Sequence, residues 1–178
     1  AILEGILASL ARMNIRFDRF VWESELVVDG SVHRVLERLT SSPKAHRAED
    51  GALGVDGRPF GLPEESPFVY ATRADGTHLY PARDVAYHEG KFERAGRVIN
   101  ILGQDHRLHV QGLFALLDAV GEQRRPETLF YGYVNLPEGK MTTRGGRVVL
   151  LDHVLDEGRR LALVELEARR PELSSAER

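Results

Sequence analysis

The 178-residue chain has no cysteine, two methionines and one tryptophan. Without cysteine there is no disulfide, no thiolate zinc site and no cysteine nucleophile. No apolar run approaches the ~20 residues that span a bilayer. No leader pattern opens the chain, so no membrane association is expected and the expected compartment is the cytoplasm. An excess of positive charge is missing too: 24 Lys and Arg stand against 27 Asp and Glu, a net charge of -3. A stand-alone nucleic-acid module usually carries a basic field; its absence argues against such a module and leaves room for local basic contacts near Arg144 and Arg147. GxSxG, HExxH and Walker A patterns are also absent, as are internal repeats and low-complexity segments.

What is present reads as alternating helices and strands. Ile2, Leu3, Ile6, Leu7 and Leu10 have helical spacing and predict a helix to about Met13. The chain opens inside that helix with Ala1 rather than Met, so it is expected to be cut from a longer one. Residues Ile15 to Trp22 read as a short strand or extended segment, with Trp22 in the core. Ser31 is placed to cap a helix through Leu39 that buries Val32, Val35, Leu36 and Leu39. Ser41 to Asp50 is polar and reads as a surface loop, with His46 and, far downstream, His153 on the surface. Asp56-Gly57 and Asp75-Gly76 are hairpin signals, the second between strands at Phe68–Tyr70 and His78–Tyr80. A helix is expected over Ala82–Arg94, a buried parallel strand over Val98–Leu102, a helix over Leu108–Val120 and a strand over Leu129–Leu136. A glycine-bearing loop follows from Gly139 to Arg147, then a short strand at Val148–Leu150 and a helix to Ala168. The rhythm is that of an α/β fold.

Three clusters carry chemistry. Lys140, Arg144 and Arg147 put three cations on a loop with glycines at both ends, which suits closure on a phosphate chain; a solvated basic loop has the same composition. Gly103-Gln104-Asp105-His106-Arg107-Leu108-His109 sits where a strand hands over to a helix, the usual ligand position of an open α/β sheet. Asp105 there can accept from ribose hydroxyls, join His106 and His109 at a metal, or merely cap the helix. Tyr80-Pro81-Ala82-Arg83-Asp84 opens a helix with a phenol and a carboxylate one turn apart. That pair suits a guanidinium, which takes planar bidentate acceptance; the alternative is an Arg83–Asp84 surface pair beside core tyrosines.

Taken in order, these segments resemble arginyl-tRNA synthetase. Arg73 to His88 reads RADGTHLYPARDVAYH and is similar to that family's R-x-DGT-x-LY-x-x-RD-x-AYH run. Val98 to His109, VINILGQDHRLH, resembles its strand and GxDH turn, and Leu136 to Arg144, LPEGKMTTR, its form of the KMSKS signature. Thr142 stands where the family has serine and keeps the hydroxyl; Gly145 stands where it has lysine. Phe17-Asp18, Val21-Trp22-Glu23-Ser24 and Asp50-Gly51-Ala52 match weaker landmarks, so the resemblance covers essentially the whole chain.

The resemblance implies a partial class I Rossmann-like nucleotide-binding fold, a parallel sheet flanked by helices. It implies three regions: a connecting part over 1–80, the second half of the catalytic domain over 81–150, and a helical stretch over 151–178 leading towards an anticodon-binding domain. It implies an arginine–tRNA ligase that takes ATP, with Mg2+, arginine and tRNA(Arg). Tyr80, Asp84 and His106 would bind arginine. Gly103, Asp105, His109 and Met141 would lie by ATP, and Lys140, Thr142 and Arg144 would act on the triphosphate. No metal site belonging to the protein itself is expected. No HIGH-type motif occurs in the 178 residues, so the chain alone is expected not to catalyse adenylation. The alternative is a truncated synthetase-like protein that binds arginine, nucleotide or a partner chain without ligating.

Overall fold

The computed structural model describes residues 2–132 and 149–174. In chain order the elements are α1 (Ile2–Ala11), α2 (Glu23–Val28), α3 (Ser31–Thr40), β1 (Ala45–Arg47), β2 (Leu53–Asp56), β3 (Phe68–Tyr70), α4 (Tyr80–Arg94), β4 (Ile99–Gly103), α5 (Arg107–Ala119), β5 (Glu127–Tyr131) and α6 (Leu151–Arg169). The described residues fall into two compact units: 21–132, and 2–20 with 149–174. No described helix is long and apolar enough to cross a membrane.

The larger unit holds both sheets. β1, β2 and β3 form an antiparallel sheet in that order, and β4 and β5 form a parallel pair with Ile101 opposite Leu129. The core gathers Val32, Val35 and Leu39 of α3, Val55 of β2, Val85 of α4, and Leu113, Leu116 and Leu117 of α5. Each helix contributes at three- and four-residue spacing, the stripe that burial requires. α3 begins after Gly30, whose φ of 77° is left-handed, and the Asp29 carboxylate accepts from the Ser31 N–H at 2.8 Å. The expected Ser31 cap is therefore shifted: aspartate and glycine do the work just ahead of it.

Several expectations need correction. Of the two readings of residues 15–22 the strand does not form and the extended segment stands, while Trp22 is 54% exposed, outside the core. The polar stretch 41–50 is not all loop, because β1 pairs there with β2 and His46 stacks on Phe68 at 3.8 Å between ring centroids. Backbone pairing and one ring contact override a polar composition. Asp56-Gly57 does not make a tight hairpin: a 3-10 turn at Arg58–Phe60 and a longer connection intervene before β3 pairs with β2. The Arg58 guanidinium on Asp56 and the Gly57 N–H on the Pro67 carbonyl hold that connection. At Asp75-Gly76 the turn is tight, with Gly76 at φ 82°, but only the Thr72–His78 bridge pairs across it, since Tyr80 already belongs to α4. β4 is not buried throughout: Ile101 is 68% exposed, as is Leu129 beside it at 58%. One face of the parallel pair is uncovered among the described residues. β5 begins two residues earlier than expected, and positions 133–136 lie outside the described residues. Val149 and Leu150 form no strand, and Val148 lies outside the described residues.

In the smaller unit, α1 and α6 have no buried residue among those described. Polar contacts join them. The Ser9 hydroxyl donates to Asp152 at 2.7 Å, and the Arg12 guanidinium donates to Asp152 and Asp156 at 2.7 and 2.5 Å. Asp152 and Asp156, one turn apart on α6, thus make a two-carboxylate receptor for one arginine.

Candidate active site

The first turn of α4 builds the site. Pro81 lies in that turn, where its missing N–H costs nothing. Tyr80 and Asp84 stand one turn apart and both line a cavity of about 320 Å³ between α2, α4, β4 and α5. Asp84 is 8% exposed and Tyr80 is 47% exposed. The alternative of an Arg83–Asp84 surface pair is not what forms: Arg83 pairs instead with Glu23 of α2, Nε to Oε2 at 3.0 Å.

Both oxygens of Asp84 are engaged. Oδ2 lies 2.9 Å from His109 Nε2, and Oδ1 lies 3.2 Å from His88 Nδ1. Burial opposes ionisation of this carboxyl, but the hydrogen bonds from His109 and His88 outweigh it and hold the group well below the usual carboxylate range. A carboxylate offers about four lone-pair sites. Two histidine contacts leave room for bidentate acceptance from the cavity side. Burial, with Asp84 and Glu23 nearby, pushes the Tyr80 phenol up, so it stays protonated and able to donate. The Tyr80 ring lies 5.1 Å from that of His109.

The end of β4 supplies the opposite wall. Gly103 is its last residue, and a Cβ there would meet Asp105 Oδ1 at 2.5 Å, so a side chain at 103 would displace that carboxylate. Asp105 and His106 follow in a 3-10 turn, both half exposed, and His106 lines the cavity with His109 of α5. His109 was expected by ATP; its Nε2 is bonded to Asp84. Among the described residues no three His, Asp or Glu side chains converge as a metal site, so Asp105, His106 and His109 do not form one. Lys140, Met141, Thr142 and Arg144 lie outside the described residues.

The sequence reading missed His88, Lys91 and Asn100. All three line the same cavity. Burial lowers the Lys91 ammonium from its ordinary value. The signal was available: His88 and Lys91 continue the Asp84 stripe at helical spacing, and Asn100 is the one polar residue inside the apolar run Val98–Leu102.

Residues 2–178 match the family of class I tRNA synthetases (R), catalytic domain. The chain belongs to the arginyl class I tRNA synthetase family. It is 49% identical over 171 residues to the arginine–tRNA ligase of Methanocella arvoryzae, covering 96% of this chain and 30% of that protein. It is 42% identical over 179 residues to that of Methanopyrus kandleri, covering 99% of this chain and 29% of that protein. Among solved structures, the arginyl-tRNA synthetase of Thermus thermophilus superposes with a TM-score of 0.77 at 25% identity, over 96% of this chain and 35% of that one. The chain thus spans about 30% of the length of these ligases. The expected fold stands: the parallel pair with its flanking helices is a partial Rossmann-like arrangement of an arginyl-tRNA synthetase.

Proposed function

We propose that this chain forms the arginine-binding part of an arginine–tRNA ligase, in which Asp84 and Tyr80 receive the substrate guanidinium. The observation that carries the reading is the Asp84 carboxylate, buried and held by two histidines at the wall of a cavity. An anion kept out of water gains most from a planar cation that can satisfy it bidentately. The likeness to arginine–tRNA ligases supports the same substrate.

In this reading the arginine carboxylate attacks the α-phosphorus of ATP, the bond to the β-phosphate breaks, and pyrophosphate leaves. A ribose hydroxyl at the end of tRNA(Arg) then attacks the arginyl carbonyl, and AMP leaves. His106 shapes the arginine pocket, and Gly103, Asp105, His109 and Met141 lie by the nucleotide. Lys140, Thr142 and Arg144 stabilise the triphosphate, with Mg2+ bound to it as part of the substrate. Residues 1–80 serve as the connecting part, 81–150 as the second half of the catalytic domain, and 151–178 lead towards the anticodon-binding region. The compartment is the cytoplasm.

The test is arginine-dependent exchange of pyrophosphate into ATP by the intact protein with tRNA present, beside calorimetric titration with arginine, lysine and glutamate. Exchange with arginine alone and binding of arginine over the other two are expected. Indifference among the three amino acids sinks the assignment.

A further inference from the structure

Behind Asp84 runs a second row of polar groups. Asp84, His88 and Lys91 stand at i, i+4 and i+7 on α4, one stripe of one helix. Asn100 meets them from β4. Asp84, His88 and Asn100 are all buried, His88 to 3% exposure. Lys91 Nζ lies 3.0 Å from Asn100 Oδ1 and 3.3 Å from His88 Nε2. Asn100 Nδ2 lies 2.9 Å from His88 Nε2. His88 Nδ1 lies 2.8 Å from the Asp84 backbone oxygen and 3.2 Å from Asp84 Oδ1.

Donor capacity gives this row a direction. An ammonium has three donors and no acceptor, so the Asn100 atom facing Lys91 is its carbonyl oxygen. The Asn100 amide nitrogen therefore faces His88 Nε2 and donates to it. Nε2 accepts and carries no hydrogen; Nδ1 carries it. Nδ1–H then points at a backbone carbonyl and a carboxylate, two groups with nothing to donate. Each assignment follows from the one before, from a residue with donors only to a residue with acceptors only. The opposite tautomer would face N–H against N–H at Asn100 and a lone pair against the Asp84 oxygens, both costly out of water.

We propose that His88 is a positioning residue for Asp84, its tautomer set by Lys91 and Asn100, so that its Nδ1–H fixes the carboxylate while the remaining lone pairs stay open to a guanidinium. This rests on the reading that Asp84 receives arginine. His109 Nε2–H donates to Oδ2, and His88 Nδ1–H, whose nearer acceptor is the Asp84 backbone oxygen, faces Oδ1 at 3.2 Å, so the carboxylate is restrained on both sides, as a precise bidentate receptor needs.

Two measurements on the intact protein test it. The first is nitrogen-15 NMR of histidine-labelled protein, with the His88 signal identified as the one lost on substitution. The Nδ1–H tautomer is expected; an Nε2–H signal overturns the proposal. The second compares His88→Asn, whose amide keeps a donor near the Nδ1 position, with His88→Gln, whose amide reaches towards Nε2 and leaves Asp84 without that donor. His88→Gln is expected to weaken arginine binding by about ten- to a hundredfold, the range for a hydrogen bond to a charged group. His88→Asn is expected to stay within about threefold, and ATP binding is expected to hold in both. Equal loss in two folded variants overturns the proposal. Absence of arginine binding by the wild-type protein sinks the functional reading instead, and the NMR signal still reports whether Lys91 and Asn100 set the tautomer.

Discussion

β2, the middle strand of the antiparallel sheet, buries Leu53, Gly54 and Val55 in succession, whereas β4 of the parallel pair leaves Ile99 and Ile101 exposed and buries Asn100. Successive strand residues face opposite ways, so β2 is covered on both faces and β4 on one. The covered sheet is where apolar burial concentrates: α5 packs over β2 and β3, and its Leu113, Leu116 and Leu117 join the core. The half-covered pair contributes little to that core and much to the site, since its inward face carries Asn100 and Leu102 and its end carries Gly103. The packed core and the candidate site thus lie on different sheets of one unit, and substitutions should separate them.

The largest effect is expected from the core over the antiparallel sheet. Leu116 is almost fully buried, and Leu116→Ala removes its packing and leaves a cavity. A loss of about 3.5 kcal/mol is expected by urea denaturation. A loss below about 1 kcal/mol would mean that this core is not where the fold is held. Next comes Gly54→Ala. A Cβ at position 54 would lie 2.4 Å from the Val69 carbonyl oxygen and 2.9 Å from the Tyr70 ring. Neither β3 backbone nor ring can yield without moving the strand, so a cost of about 3 kcal/mol is expected. A neutral Gly54→Ala would show that β2 and β3 are less closely paired than described.

A smaller effect tests the site through pH. The folded Asp84 carboxyl is held below its ordinary value. Its contribution to stability is therefore present above the unfolded carboxylate value of about 4 and is lost as pH falls below that towards the folded value. Relative to Asp84→Asn, the wild-type protein should lose on the order of 2 kcal/mol as pH falls through that window. Identical acid profiles for the two proteins would mean that the histidine contacts do not hold the carboxylate.

The same contrast explains what the sequence made legible. α4 and α5 were readable because their apolar residues recur at helical spacing, and Tyr80 and Asp84 because they lie inside a long, specific motif. β1 was not, since Ala45-His46-Arg47 has no alternating apolar pattern and is a strand only because β2 offers it partners. Trp22 misled because size suggests burial, while burial depends on neighbours that a local reading does not see. The apolar run at 98–102 gave the strand, yet an apolar strand reads the same whether one face is covered or two. The row from Lys91 to Asp84 was hidden because its members are spread over residues 84–100 and only the packing of β4 on α4 aligns them.

The smallest effect bears on the uncovered face. Ile101 points away from the cavity side and is 68% exposed. Ile101→Thr keeps a β-branched side chain suited to a strand and removes apolar area that is already in water. A change within about 0.5 kcal/mol is expected. Val55→Thr, a similar loss of apolar character at a buried strand position, should cost about 2 kcal/mol by leaving a hydroxyl without water. Measured side by side in the same length of chain, the two substitutions set the covered strand against the open one. A cost above about 1.5 kcal/mol for Ile101→Thr, or one that grows with protein concentration, would show that another surface covers this face. The difference between the sheets would then belong to the chain alone and not to the assembled protein.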